Sequence, residues 1–292
     1  FNEWGQMVIL ELVSRYKPTG PKAKDEIYDI MNLLEDRLRH SNSALVLATA
    51  KVFLKLTAKI QHVNREVYKR IKTPLLTLIS NPNHAIAYPV VSHVQLLILK
   101  NPGVFADSYK HFFCRYNDPI CVKEIKVKCL ANLANDSNAQ DILSELSEYI
   151  TDVDVEIARL SIRSIGKIAV ECESAMEQAI YHLLTFLDMN QDYIIAETSV
   201  CIKMMLRKYP DQYHDVLDKL KNIMRNVEET DGKCAVLWIL GEYGDKFIEA
   251  PYILEQYIDA YDEEQSSDVK LEMLSATMKL FFKKAPEVQK ML

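Results

Sequence analysis

The stretch AVLWILGEYGDKF, Ala235 to Phe247, has the residue types of a chemical site. Glu242 and Tyr243 lie between Gly241 and Gly244, close to Trp238, one of only two tryptophans in the chain. A carboxylate beside a phenol on a glycine-flanked loop can act as base and acid, provided that a partner lies within hydrogen-bond reach. No histidine, serine nucleophile or metal-ligand set stands at a usable spacing from the pair. Helical spacing from Ala235 instead puts Trp238 on an apolar side. Gly241 then falls inside a helix, where glycine costs about 1 kcal/mol relative to alanine and is useful for close approach of a neighbour. Gly244 is expected just after the helix, in the left-handed conformation that glycine tolerates. The stretch therefore reads as packing.

Other chemistry is equally hard to assemble. The chain has no G-x-G-x-x-G, P-loop, H-E-x-x-H, G-x-S-x-G or EF-hand loop. The seven histidines are scattered, and the closest pair, His84 and His93, has no cysteine or carboxylate cluster beside it. The six cysteines form no C-x-x-C pair and sit among apolar residues, as small buried hydrophobes of a reducing compartment do. These absences lead us to expect no catalytic residue, no metal and no cofactor, hence no enzyme. The formal charge of −6 is mildly acidic, which disfavours nucleic acid as a partner. The most apolar run, Ala85 to Leu99, is interrupted by proline, serine, histidine and glutamine. It falls short of the roughly 20 residues that span a bilayer.

The elements that carry these residues repeat. A short Asn/Asp/Ser-rich connector followed by a strongly apolar helix recurs at Ser41–Leu56, Asn81–Leu99, Asn117–Ala134, Val153–Ala169, Asn190–Pro210, Glu229–Gly244 and Ser266–Pro286. The interval of roughly 34 to 41 residues is that of two-helix solenoid repeats. Amphipathic helices are expected between them, at Asp25–Leu38, Glu66–Ile79, Ala106–Tyr116, Ala139–Ile150, Glu173–Leu187, Asp211–Met224 and Pro251–Tyr261. Each begins near an Asp, Ser, Asn or Pro, as helix starts do. Only seven glycines and ten prolines are present, and no alternating run is long enough for a strand. The expected fold is all-α: a right-handed superhelical solenoid of paired antiparallel helices, HEAT- or armadillo-like, of about seven repeats. The chain opens at Glu3–Tyr16 in what reads as the second helix of a pair. It closes at Ala285–Leu292 in what reads as the first of another. We therefore expect residues 1–292 to be one solenoid fragment, truncated at both ends.

In such repeats the second helices usually line the concave face. Their polar residues are Lys123 and Lys126, then Glu156, Arg159, Arg163 and Lys167, then Lys203 and Arg207. The four from Glu156 to Lys167 form one stripe at helical spacing. If stacking aligns the stripes, the basic members make a ridge that would steer an acidic partner or an anionic membrane. A solvated face is the plainer expectation.

WILGEYGDKF together with FFCRYNDPICVK (Phe112 to Lys123) resembles the trunk of a β-adaptin, a large subunit of the heterotetrameric vesicle-coat adaptor complexes. EWGQ, NSALVLATAKVFLKL, LSEYITDVDVEIARLSIRSIGKIA and VKLEMLSATMKLFFKKAPEVQ extend the likeness over nearly the whole chain, in family order. NAQDILSEL, GKCAVLWILGEYG and APYILEQYID are most similar to the β subunit of the fourth adaptor complex. The resemblance implies the C-terminal part of a trunk, without hinge or ear domain. It implies a non-catalytic scaffold in vesicle-mediated protein sorting whose concave face clamps the N-terminal domain of the medium (μ) subunit. The other large adaptin and the small subunit would complete the core. The implied place is cytoplasmic, peripheral on trans-Golgi or endosomal membranes. LLTFLD, Leu183 to Asp188, approximates a clathrin-type box, but its acid is one position late and its apolar residues should be buried. The competing expectations are another HEAT-type scaffold, coatomer-like or phosphatase-scaffold-like, and an enzyme or its regulatory domain.

Overall fold

The structure, a computed structural model, describes residues 2–19 and 22–289, apart from the side chains of residues 61, 212–215 and 287. Among the described residues every regular element is helical and no strand occurs. Two compact units are distinguished, residues 1–133 and 134–292.

The first unit contains α1 (Glu3–Arg15), α2 (Ala23–Leu34), α3 (Ser43–Thr57), α4 (Gln61–Ile79), α5 (His84–Lys100), the single turn α6 (Pro102–Phe105) and α7 (Ile120–Leu133). Three of these starts are fixed by asparagine. Asn2, Asn42 and Asn83 each accept a hydrogen bond from an otherwise orphaned N–H of the first turn, on Gly5, Ala44 and Ala85. The apolar faces meet in a core that includes Leu45, Phe53, Ile71, Leu75, Ile98 and Phe105. α1 packs on α3, α4 lies against both α3 and α5, and α5 packs on α7. The helix expected at 106–116 is instead a 3-10 segment, Ala106–Phe112, in which Ser108 leaves helical geometry (φ −115°, ψ 21°). Asp and Ser compete for local backbone groups there, and Ser108 Oγ donates to Asp107 at 3.3 Å.

The second unit contains α8 (Ala139–Glu148), α9 (Val155–Glu171), α10 (Met176–Leu187), α11 (Asp192–Lys208), α12 (Tyr213–Leu220), α13 (Thr230–Tyr243), α14 (Ala250–Asp259), α15 (Ser267–Lys283) and α16 (Ala285–Val288). The second-type helices α9, α11, α13 and α15 stack in sequence, with α8 and α10 against α9 and α14 against α15. Asp154 caps α9 by accepting from the N–H groups of Glu156 and Ile157, and Ser266 caps α15 through Val269. Each unit is thus of the paired-helix, all-α solenoid class. Leu183, Phe186 and Leu187 of LLTFLD are buried in α10, as expected. The expected 285–292 helix runs only to Val288, and residues 290–292 lie outside those described, as does the His214 side chain.

Candidate functional site

Neighbouring helices hold the Trp238–Gly244 stretch at Glu242 and Tyr243. Glu242 accepts from Lys279 Nζ of α15 at 2.6 Å, and Tyr243 Oη donates to the Leu206 carbonyl of α11 at 3.2 Å. Burial is the main cause that pushes the Tyr243 phenol up from its ordinary value. Trp238 itself is only half-buried, at the edge of the core. Its ring lies under two cations, Arg207 at 4.8 Å and Lys279 at 5.7 Å. Gly241 serves as expected: a Cβ there would stand 3.0 Å from the Ala276 backbone of α15. Gly244 does not. Its φ is −63°, right-handed, and a 3-10 turn continues through Lys246. The need for glycine is steric, because a Cβ would meet Leu280 Cδ1 at 2.7 Å. These residues join three successive second-type helices.

The expected basic ridge is largely cancelled from within. Lys126 is not a surface residue; it is 3% exposed and donates to Asp118 Oδ2 at 2.5 Å and to the Phe113 carbonyl at 3.2 Å. Such a charge is tolerated inside only because it is paired and hydrogen-bonded. In the second unit, Glu197 of α11, 7% exposed, accepts from Arg159 Nη1 at 3.2 Å and from Arg163 Nε at 2.8 Å, with a second bond from Arg163 Nη2. Arg159 also donates to both carboxylate oxygens of Glu229, just before α13, at 2.9 and 2.6 Å. One guanidinium thus reaches from α9 across α11 to the start of α13. The Glu229 carboxylate, and after it Glu197, holds the Arg159 proton more tightly than usual. Lys167 pairs with Glu171 along α9 at 3.7 Å. Lys203 is half-buried, which pushes its ammonium pKa down. Lys123 is half-buried on α7, and of the whole set only Arg163, Arg207 and part of Lys167 remain well presented to water.

Sequence reasoning missed Glu197 and Glu229, although a signal existed. Glu197 stands 38 residues after Arg159 and 34 after Arg163, one repeat interval in each case. A polar stripe reveals the polarity of its own face but not the opposite charge one repeat away. Two cysteines, Cys129 and Cys201, are buried, and burial pushes each thiol up to about 12. Cys121, expected among buried hydrophobes, is exposed. No group of three or more His, Cys, Asp or Glu that could hold a metal occurs among the described residues. No helix among them is long and apolar enough to cross a membrane.

What the second-type helices of the first unit do present is apolar. Trp4, Val8 and Leu12 recur along α1 and are exposed, as are Leu96 and Leu99 on α5. Between α1, α3 and α5 lies a groove of about 840 Å³, floored by Leu10, Ala50, Leu75 and Leu97. Lys51, Lys55 and Lys100 line it, with Glu11 already tied to Lys51 at 2.6 Å.

Comparison with known proteins bears on this arrangement. The family model for the adaptin N-terminal region matches residues 1–292. Beta-adaptin-like protein A of Arabidopsis thaliana is 48% identical over 293 residues, which is all of this chain and 34% of the relative. The AP-4 complex subunit beta-1 of Mus musculus is 34% identical over all of the chain and 39% of its own length. The AP-1 complex subunit beta-1 of the same organism is also 34% identical, over 99% of the chain and 30% of its length. The chain therefore spans about a third of these relatives. A homology model of the full-length AP-3 complex in an intermediate open conformation shares the fold, with a TM-score of 0.70 at 16% identity over 99% of this chain and 54% of that one. The similarity to the AP-4 and AP-1 β subunits is equal, so no subtype is singled out. By its whole-length match the chain belongs to the adaptin family, in that family's N-terminal region, and by its relatives to the β-adaptins.

Proposed function

We propose that residues 1–292 are a trunk segment of a β-adaptin, a non-catalytic scaffold in vesicle-mediated protein sorting whose second-helix face clamps the N-terminal domain of a medium subunit. The observation that carries the reading is the apolar groove between α1, α3 and α5, edged by exposed Val8 and Leu96. Exposed aliphatic side chains in a row gain from a partner that covers them, each by about 1.5–3 kcal/mol when fully buried. The other large adaptin and the small subunit would complete the complex. Membrane association would be peripheral and made through the assembly, on trans-Golgi or endosomal membranes. Membership of the fourth adaptor complex is one form of this proposal; the first fits the similarities equally well.

Co-expression with medium subunits tests it. A soluble, stoichiometric complex is expected, and Val8→Asp with Leu96→Asp should abolish co-purification while leaving the melting temperature of the chain unchanged. An Arg163→Glu variant should still co-purify, because its guanidinium serves Glu197. Undiminished capture by the aspartate variant would refute the assignment of this face. Failure with every medium subunit, alongside capture by a coatomer or phosphatase partner, would favour the other scaffold class.

A further inference from the structure

On the α4–α6 side of the first unit, four cations converge on one open cavity. Arg65, Lys69 and Lys72 stand at i, i+4 and i+7 on a single face of α4. Lys100, the last residue of α5, faces them across a space of about 860 Å³ bounded by Gly103 and Asp107. Two carboxylates temper the charge. Asp107 takes a short hydrogen bond from Lys72, and Glu66 pairs with Lys69 at 3.0 Å. Arg65 and Lys100 form no ion pair among the described residues. Lys72 is 16% exposed and is tied to Asp107 at the cavity edge. A net positive pocket on a chain of net charge −6 is a local concentration, not a consequence of composition.

We propose that this cavity binds a ligand carrying clustered phosphate groups. The charge density argues for phosphate over carboxylate. Each phosphate monoester brings about −1.5 to −2 at neutral pH and three acceptor oxygens. It can take the Arg65 fork bidentately while a lysine approaches as a point charge. Carboxylates of an acidic peptide carry one charge each, spread along a backbone, and match four cations around one space less well. The volume exceeds what a single phosphate fills, which favours a ligand with two or more. Such chemistry is shared by soluble polyphosphorylated molecules and by polyphosphorylated lipid headgroups. The site shares Lys100 with the edge of the groove between α1, α3 and α5, but Arg65, Lys69 and Lys72 of α4 do not line that groove. A variant at Arg65 and Lys69 therefore tests it separately from the medium-subunit reading.

The test is binding of tripolyphosphate to the full chain by calorimetry at about 0.15 M salt, with Arg65→Ala/Lys69→Ala as the variant. Both positions are exposed, and circular dichroism and melting verify the fold. The expected result is saturable binding that the variant weakens about tenfold or more, that the conservative Arg65→Lys/Lys69→Arg variant largely keeps, and that Lys128→Ala on α7 leaves unchanged. Flotation with phosphatidylcholine vesicles, with and without phosphatidylinositol bisphosphate, separates the sources. Recruitment lost in the alanine variant identifies a headgroup, and tripolyphosphate binding without recruitment identifies a soluble ligand. No tripolyphosphate binding, equal loss with Lys128→Ala, or a polyglutamate peptide binding as tightly would overturn the proposal.

Discussion

Glu197→Ala is the sharpest probe of how the second unit is held. The change removes a carboxylate that accepts three hydrogen bonds from two guanidinium groups of the preceding second-type helix. Removing one partner of a fully buried ion pair costs about 3–5 kcal/mol. Here water reaches Arg163, whose side chain is 54% exposed, and Arg159 keeps both bonds to Glu229. The expected cost therefore falls to about 2–3 kcal/mol. At a urea m-value of about 2 kcal/mol/M, the unfolding midpoint should drop by about 1–1.5 M. Glu197→Gln keeps the shape and one acceptor and should cost about half as much. The decisive measurement is the double-mutant cycle of Glu197→Ala with Arg163→Ala, with an expected coupling of about 1–2 kcal/mol. Additive losses, with coupling near zero, would refute the view that this pair ties α9 to α11.

Stability should also depend on pH in a defined direction. Arg159 holds the Glu229 carboxyl below its ordinary range, and Lys233 does the same for Glu264. With folded values below unfolded ones, their contribution is complete above the unfolded pKa of about 4.3 and is lost as pH falls through the folded one. The urea midpoint should be level near neutrality and decline below about pH 5, less steeply in Glu229→Gln. Two glycines should respond oppositely to alanine. At Gly166 of α9 the new Cβ would lie 2.5 Å from the buried Cys201 Sγ, so overpacking of about 1–3 kcal/mol should outweigh the helical gain. At Gly103, where nothing stands within 4 Å, alanine should be neutral or stabilising by up to about 1 kcal/mol in thermal melts.

Much of this architecture was legible from spacing alone. The 3.6-residue apolar pattern located the second-type helices, and Asn42, Asn83, Asp154 and Ser266 marked starts that their side chains do cap. The partition of polar residues was not legible. Lys126 sits in a polar-looking position on α7, yet a carboxylate eight residues earlier in the preceding loop draws it inside. The Arg159 stripe looked solvated because its counter-charges lie 38 and 70 residues away. Gly244 failed for another reason: two unrelated needs, a left-handed φ and a missing Cβ, select the same residue, and only the position of Leu280 tells them apart. The apolar groove of the first unit escaped because exposed and buried aliphatics have the same letters.

The long reach of Arg159 has a mechanical meaning. By gripping a residue of α11 and the threshold of α13 together, it splints three successive rods, so that twisting one against the next must strain a charge-assisted bond two intervals off. Flexure within residues 134–292 is thereby resisted across α9–α13.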